Sequence, residues 1–161
     1  VTYDDFGLYG HPDHIQAHRV AMYAAQLAAV ESYRRDLGEA HDIAKIYWNA
    51  MSATKLREGL RALRASGNTS AFEGLDPEGP LPFNASGDED LSAAVDAPDH
   101  VAAKMAALKA HATQITTDGP FFALSNNKGA EVFSVEFYRL VKGSPGELSA
   151  QGWETDLFAG L

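Results

Sequence analysis

The densest group of titratable and metal-capable side chains in this 161-residue chain is Tyr9-Gly10-His11-Pro12-Asp13-His14. Two imidazoles three residues apart, where a strand would run into a helix, can project from one helical turn toward the same point. Neutral imidazole ligates divalent metals and, near neutral pH, serves as acid or base. Asp13 lies between the two histidines and can orient one of them, while Asp4 and Asp5 stand at the preceding strand end. Ligands and catalytic groups collect at such strand ends in open α/β sheets. The spacing therefore fits a metal site with an adjacent acid or base. It equally fits two helix-start histidines beside a structural proline.

Other candidates carry less weight. His18, one turn beyond His14 on the same face, reads as a second ligand or, more readily, as a packed residue bonded to a neighbour. His41 beside acids and His100 near a helix start read as surface. His111 and Gln114 form a polar strip on a helix, which is ordinarily the solvated side; the alternative is that Gln114 offers its amide to sugar hydroxyls.

These groups must be positioned by elements that the pattern of apolar residues outlines. Val1-Thr2-Tyr3-Asp4 has β-propensity and reads as the end of a strand, and a strand beginning at residue 1 suggests truncation. Pro12 suits the first turn of a helix from about Asp13 to Tyr33, with Val20, Tyr23, Leu27 and Val30 on one stripe. A polar loop, Arg34 to Asp42, leads to a short strand, Ile43 to Trp48. A basic helix follows to about Ala65, with Leu56, Leu60 and Leu63 in phase and Ser52 as its cap. The glycines and prolines of residues 66 to 90 predict a long surface loop or flexible insertion able to cover a site. Leu91, Ala93 and Val95 alternate as a strand, and Ala97-Pro98-Asp99 opens a second long helix with Val101, Met105, Leu108, Ala112 and Ile115 on one face. Turns are expected at 118–120 and 125–129, a strand through Phe133, Val135 and Phe137, and a short amphipathic helix from Trp153 to Leu161.

Composition narrows the function. Thirteen basic against 22 acidic residues give a net charge of −9, which repels phosphate backbones, so nucleic acid is not the expected partner. No apolar run reaches the roughly 20 residues of a membrane helix, and the N-terminal residues carry no targeting pattern, so a cytoplasmic protein is the simplest expectation. The absence of cysteine removes thiolate metal sites and cysteine nucleophiles, leaving histidine and carboxylate as the metal-binding residues. A serine-hydrolase elbow and a phosphate-cradling glycine loop are also missing.

Val1-Thr2-Tyr3-Asp4, the block Tyr9-Gly10-His11-Pro12-Asp13-His14-Ile15 and His18 together resemble the second conserved block of the zinc-dependent N-deacetylases related to the GPI-anchor de-N-acetylases. Three further stretches narrow the resemblance: residues 107–114 (Ala-Leu-Lys-Ala-His-Ala-Thr-Gln), residues 123–127 (Ala-Leu-Ser-Asn-Asn) and Gly152 to Leu161. They are similar to the actinobacterial, mycothiol-biosynthesis branch of that family, which removes acetate from an N-acetylglucosaminyl-inositol. The resemblance implies an α/β, Rossmann-like parallel sheet with helices, one zinc ion per complete subunit and a small-molecule sugar substrate. It implies that His14 is a zinc ligand, that His11 polarises the amide or meets the oxyanion, and that Asp13 tunes a histidine. Tyr9 would assist the transition state or product release, and Gln114 would reach substrate hydroxyls.

One departure is substantial. Members of the family open with an Ala-His-Pro-Asp-Asp-Glu block that supplies two of the zinc ligands and the general base, and this chain has no such block. A catalytic zinc site ordinarily takes three protein ligands plus an open position. The expectation is a C-terminal portion of the enzyme, its sheet incomplete at the N-terminus, inactive alone, with self-association or an N-terminal half as its partner. The alternatives are the sister conjugate amidase branch and a non-catalytic sugar-binding or interaction fragment.

Overall fold

The computed structural model describes residues 1–67, 72–81, 84–117 and 134–161. The turns expected at 118–120 and 125–129, the Leu124-Ser125-Asn126-Asn127 stretch and Phe133 lie outside the described residues.

Helix α1 (Pro12–Ala28) begins where the sequence places it. His11 is the residue before the first turn, with extended backbone, and Pro12 follows, costing no hydrogen bond because its missing N–H would have had no helical partner. The helix ends at Ala28, five residues short of Tyr33, in a run of turns through Tyr33. The inward face also differs from the expected one. His18 packs edge-on against Trp48 at 5.1 Å, the Trp48 indole N–H donates to Met22 Sδ at 3.5 Å, and Ala25 is buried. At about 100° per residue these positions lie opposite Val20 and Tyr23, which are 60% and 63% exposed; Leu27 is half-buried and Val30 lies beyond the helix end. Apolar spacing selected a true stripe, but contact with Trp48 selected the other face.

The sheet contains β1 (Ile46–Ala50), β2 (Ala93–Asp96) and β3 (Val135–Lys142) in the order β1-β3-β2, with β3 antiparallel to both neighbours. The expected parallel Rossmann-like sheet is not what the described strands form; the molecule is a mixed helix and strand structure. Among the described residues parallel pairing is confined to isolated bridges, among them Thr2 to Trp48 at one edge and Ala93 to Glu154 at the other. Thr2 donates to the Tyr47 carbonyl at 3.0 Å and accepts from the Asn49 N–H at 2.8 Å, so the N-terminal residues extend the sheet beside β1 for one bridge only. β1 starts three residues later than Ile43, and β3 runs on to Lys142 beyond the alternation that announced it.

Helix α2 (Ala53–Ala65) has the cap expected of it: the Ser52 hydroxyl accepts from the Lys55 N–H at 3.1 Å. Its buried residues Leu60 and Leu63, with Ile46, Tyr47, Leu91, Ala93 and Phe137, form the core. Residues 66 to 90 form no regular element beyond one short helical turn at Asp88–Asp90 among those described. They are nevertheless held down. The guanidinium of Arg57 donates to the Pro77 and Gly79 carbonyls, Arg61 pairs with Glu78, and Arg64 donates to the Phe72 carbonyl.

Helix α3 (Val101–Ala110) stops short of the expected Ile115, because residues 111 to 115 close into a turn in which Gln114 and Ile115 both donate to the His111 carbonyl. The expected helix from Trp153 to Leu161 is a series of turns. Glu154 explains why: its backbone pairs with Ser92 and Ala94 on the edge of β2, and its side chain is fully buried. Lys45 Nζ lies 2.7 Å from one carboxylate oxygen and the Tyr47 hydroxyl 2.6 Å from the other. The segment is a strap drawn across the sheet, which a helical register could not supply. Among the described residues no helix is long and apolar enough to cross a membrane.

Candidate active site at the histidine cluster

The described contacts bring Tyr9, His11 and His14 together, and add Tyr3. The Tyr3 ring stacks flat on His14, with centroids 3.9 Å apart and planes 9° from parallel. Tyr9 meets His14 edge-on at 4.9 Å, and the His11 ring lies 4.9 Å from that of His14. Tyr9 and His11 are exposed and His14 half-buried, so the cluster opens to solvent on the side of Tyr9 and His11.

The hydrogen bonds of the two imidazoles give them opposite characters. His11 Nδ1 accepts the backbone N–H of Asp13 at 3.2 Å, so in the neutral ring the proton sits on Nε2. His14 Nδ1 lies 3.3 Å from the Gly7 carbonyl, which can only accept, so the proton sits on Nδ1 and Nε2 carries the free lone pair. One ring thus presents a donor and its neighbour an electron-pair donor for a metal, and a carbonyl partner on the remote nitrogen is the usual means of fixing a metal-binding imidazole. His18 Nδ1 makes the same kind of bond to the Tyr3 carbonyl at 2.9 Å, and with Trp48 against its ring it is a packed residue that holds Tyr3.

The loop carrying Tyr9 is unusually constrained. Gly7 has φ +69°, and a Cβ there would meet the Ile15 nitrogen at 2.8 Å and His14 Cβ at 2.9 Å, so only glycine allows α1 to pack this close. Leu8 has φ 64° and ψ −54°. Its N–H donates to Asp4 Oδ1 at 2.7 Å, and its carbonyl accepts from the Asn84 N–H at 2.8 Å. Asn84 Nδ2 donates to Asp4 Oδ2 at 2.7 Å, completing the partners of a carboxylate that is 5% exposed. Burial first, and then the nearby Tyr9, push the Tyr3 phenol above its ordinary range, so Tyr3 stays protonated at neutral pH.

Two candidates stand apart. Asp13 is exposed in the first turn of α1, and its backbone rather than its carboxylate contacts His11. Gln114 is exposed in the turn beyond α3; among the described residues no hydrogen bond or ring contact ties it to Tyr9, His11 or His14. Tyr3, Gly7, Leu8 and Asn84 were not evident as site residues from sequence. Tyr3 had a signal, an aromatic beside the strand-end Asp4, whereas Asn84 had none, being one polar residue in a loop 80 positions from its partner.

Among the described residues no group of three His, Cys, Asp or Glu side chains is placed to hold a metal ion. His14 is a well-oriented single donor, so these residues by themselves do not make a complete zinc site.

No family model matches the chain. Individual relatives do, and they are deacetylases: the chain is homologous over its whole length to enzymes that bear one name, 1D-myo-inositol 2-acetamido-2-deoxy-alpha-D-glucopyranoside deacetylase. It is 70% identical over 161 residues to that of a Nocardioides species, 61% over 163 residues to that of Kribbella flavida and 58% over 161 residues to that of Geodermatophilus obscurus. Each match takes in all of this chain and 53%, 53% and 54% of the relative. The chain thus spans about half the length of the curated relatives it matches, and the resemblance carried by its motifs is upheld at the level of the sequence as a whole.

Proposed function

We propose that this chain is the substrate-facing part of a zinc-dependent N-deacetylase that releases acetate from the N-acetylglucosaminyl-inositol named for its relatives. The carrying observation is the pair of adjacent imidazoles with opposite protonation, set in a chain 70% identical to such a deacetylase. When bound, a zinc ion would supply Lewis acidity and a water of lowered pKa; His14 Nε2 is the donor this chain offers to it, the others belonging to the remainder of the protein.

His11 has the complementary task. Its Nε2–H, fixed by the Asp13 backbone bond on the far side of the ring, is suited to donate to the acetamide oxygen as negative charge develops there. Asp13, two residues along at the helix start, orients that ring through its backbone N–H and so sustains the donor. Tyr9, exposed beside both rings, offers a phenol to the same oxygen or to the departing acetate. Gln114 would reach the sugar or inositol hydroxyls from the turn beyond α3. The parallel bridge of Thr2 to Trp48 supports a larger, Rossmann-like parallel sheet in the complete protein, continued on that side of β1. A cytoplasmic location suits a hydrolase of a small polar sugar conjugate.

The test is amide hydrolysis by the full-length protein, with zinc, of N-acetylglucosaminyl-inositol and of a mycothiol thioether conjugate, read as the glucosaminyl-inositol amine that either cleavage frees. Turnover of the first well above the second supports the deacetylase; the reverse order establishes the conjugate amidase. Sugar binding without turnover, insensitive to His14→Ala and to a chelator, establishes a binding module. The 161-residue chain alone should release no acetate.

A further inference from the structure

Leu8 is the most strained described residue near the site. A side chain at φ 64°, ψ −54° occupies the rare γ-turn region, which persists only where the surroundings enforce it. Here both of its backbone polar groups are taken: the N–H by Asp4 Oδ1 at 2.7 Å, the carbonyl by the Asn84 N–H at 2.8 Å. The side chains of Asp4 and Asn84 are bonded to each other at 2.7 Å, so Leu8 is gripped from both sides by one connected clasp. Asn84 is in turn anchored at the start of α2, because Ser86 two residues on exchanges backbone hydrogen bonds with Met51 and Ala53.

The inversion at Leu8 has a definite product. The preceding carbonyl, that of Gly7, is turned toward His14 Nδ1 at 3.3 Å, and the following residue, Tyr9, is set against the His14 ring at 4.9 Å. An ordinary extended or helical Leu8 would rotate that carbonyl away from the imidazole, leaving either nitrogen free to carry the proton.

We propose that Asp4 and Asn84 are positioning residues, which hold Leu8 inverted so that the Gly7 carbonyl locks His14 in the Nδ1–H form with Nε2 open and Tyr9 stays against the ring. The effect on turnover rests on the deacetylase reading above; the effect on the imidazole does not.

The test uses the full-length protein with Asn84→Ala, Asp4→Asn, Asn84→Asp and the exchange of both, Asp4→Asn with Asn84→Asp. The exchange keeps an oxygen for the Leu8 N–H and restores one donor and one acceptor between the two side chains. Nitrogen-15 NMR of the imidazoles in metal-free protein reads the His14 tautomer, and steady-state kinetics with zinc reads acetate release. In Asn84→Ala the His14 resonances should move from a single Nδ1–H form to a mixture of tautomers. Its kcat should fall about tenfold with a much smaller change in KM, the scale typical of losing the partner of a metal-binding residue. The exchange should restore the tautomer and most of the kcat lost in Asn84→Asp, where two carboxylates face each other with no donor between them, whereas Asp4→Asn, whose amide can donate to Asn84 Oδ1, should keep both. Unchanged His14 resonances in Asn84→Ala, or an exchange as impaired as Asn84→Asp, overturns the proposal. A shifted tautomer in a protein that releases no acetate upholds the clasp and removes the deacetylase. Acetate release with an unmoved tautomer does the opposite.

Discussion

The two histidines of the site are chemically distinguishable because their partners differ, a backbone N–H for one and a backbone carbonyl for the other. Replacing His11 by alanine should therefore lower kcat by about two to four orders of magnitude, the usual contribution of a positioned acid or donor, while zinc content is retained. Replacing Tyr3 tests the stack: Tyr3→Phe keeps the ring on His14 and should leave turnover close to wild type, whereas Tyr3→Ala removes it and should weaken zinc binding, read by competition with a chelating dye. The histidines were legible in sequence because their spacing is local. The partners that give them their roles were not, since Gly7 and Leu8 act through backbone conformation and Asn84 through a contact across 80 residues. No periodicity records such contacts.

Among the elements, the C-terminal strap shows how a side chain can override local pattern. Gly152 to Leu161 has apolar residues at helical intervals, yet the carboxylate of Glu154 is drawn into the sheet by Lys45, Tyr47 and the Gly146 N–H. Burial pushes the Glu154 carboxyl up, but the hydrogen bonds from Gly146, Lys45 and Tyr47 outweigh it and hold the group below its ordinary value of 4.5. A carboxylate so lowered adds stability that is fully present above the unfolded value and is lost as pH falls through the folded one. The thermal stability of the full-length protein should therefore fall progressively below about pH 5, and Glu154→Gln should flatten that slope. Glu154→Ala should cost about 3–5 kcal/mol, since it strands a buried charge partner. The cap at α2 is simpler and was legible: Ser52→Ala should cost about 1 kcal/mol, measured by urea denaturation. Helix α1 is the instructive case between these. Its existence followed from alanine content and Pro12, but its orientation did not, because Val20 and Tyr23 face out while His18 and Met22 face Trp48 and Ala25 is buried.

For the whole molecule, the described core is small beside its exposed apolar surface. Phe6, Val20, Tyr23 and Phe158 are each more than half exposed, and Val20 and Tyr23 share one outward face of α1, apolar surface that favours association in water. The isolated 161-residue chain should therefore show concentration-dependent association in sedimentation velocity, relieved by Val20→Glu with Tyr23→Glu; a monomer at all concentrations would speak against an uncovered face. The chain matches about half the length of its deacetylase relatives, and in the proposed function it supplies His14 as one metal donor and His11 as a donor to the substrate oxygen. In the proposed function His14 supplies one ligand to a zinc ion completed by the rest of the protein. Zinc titration of the full-length protein and of His14→Ala, followed by calorimetry, tests it most directly. One tight zinc per subunit that is lost or greatly weakened in His14→Ala is the predicted result; equal affinity and stoichiometry in the two would contradict it.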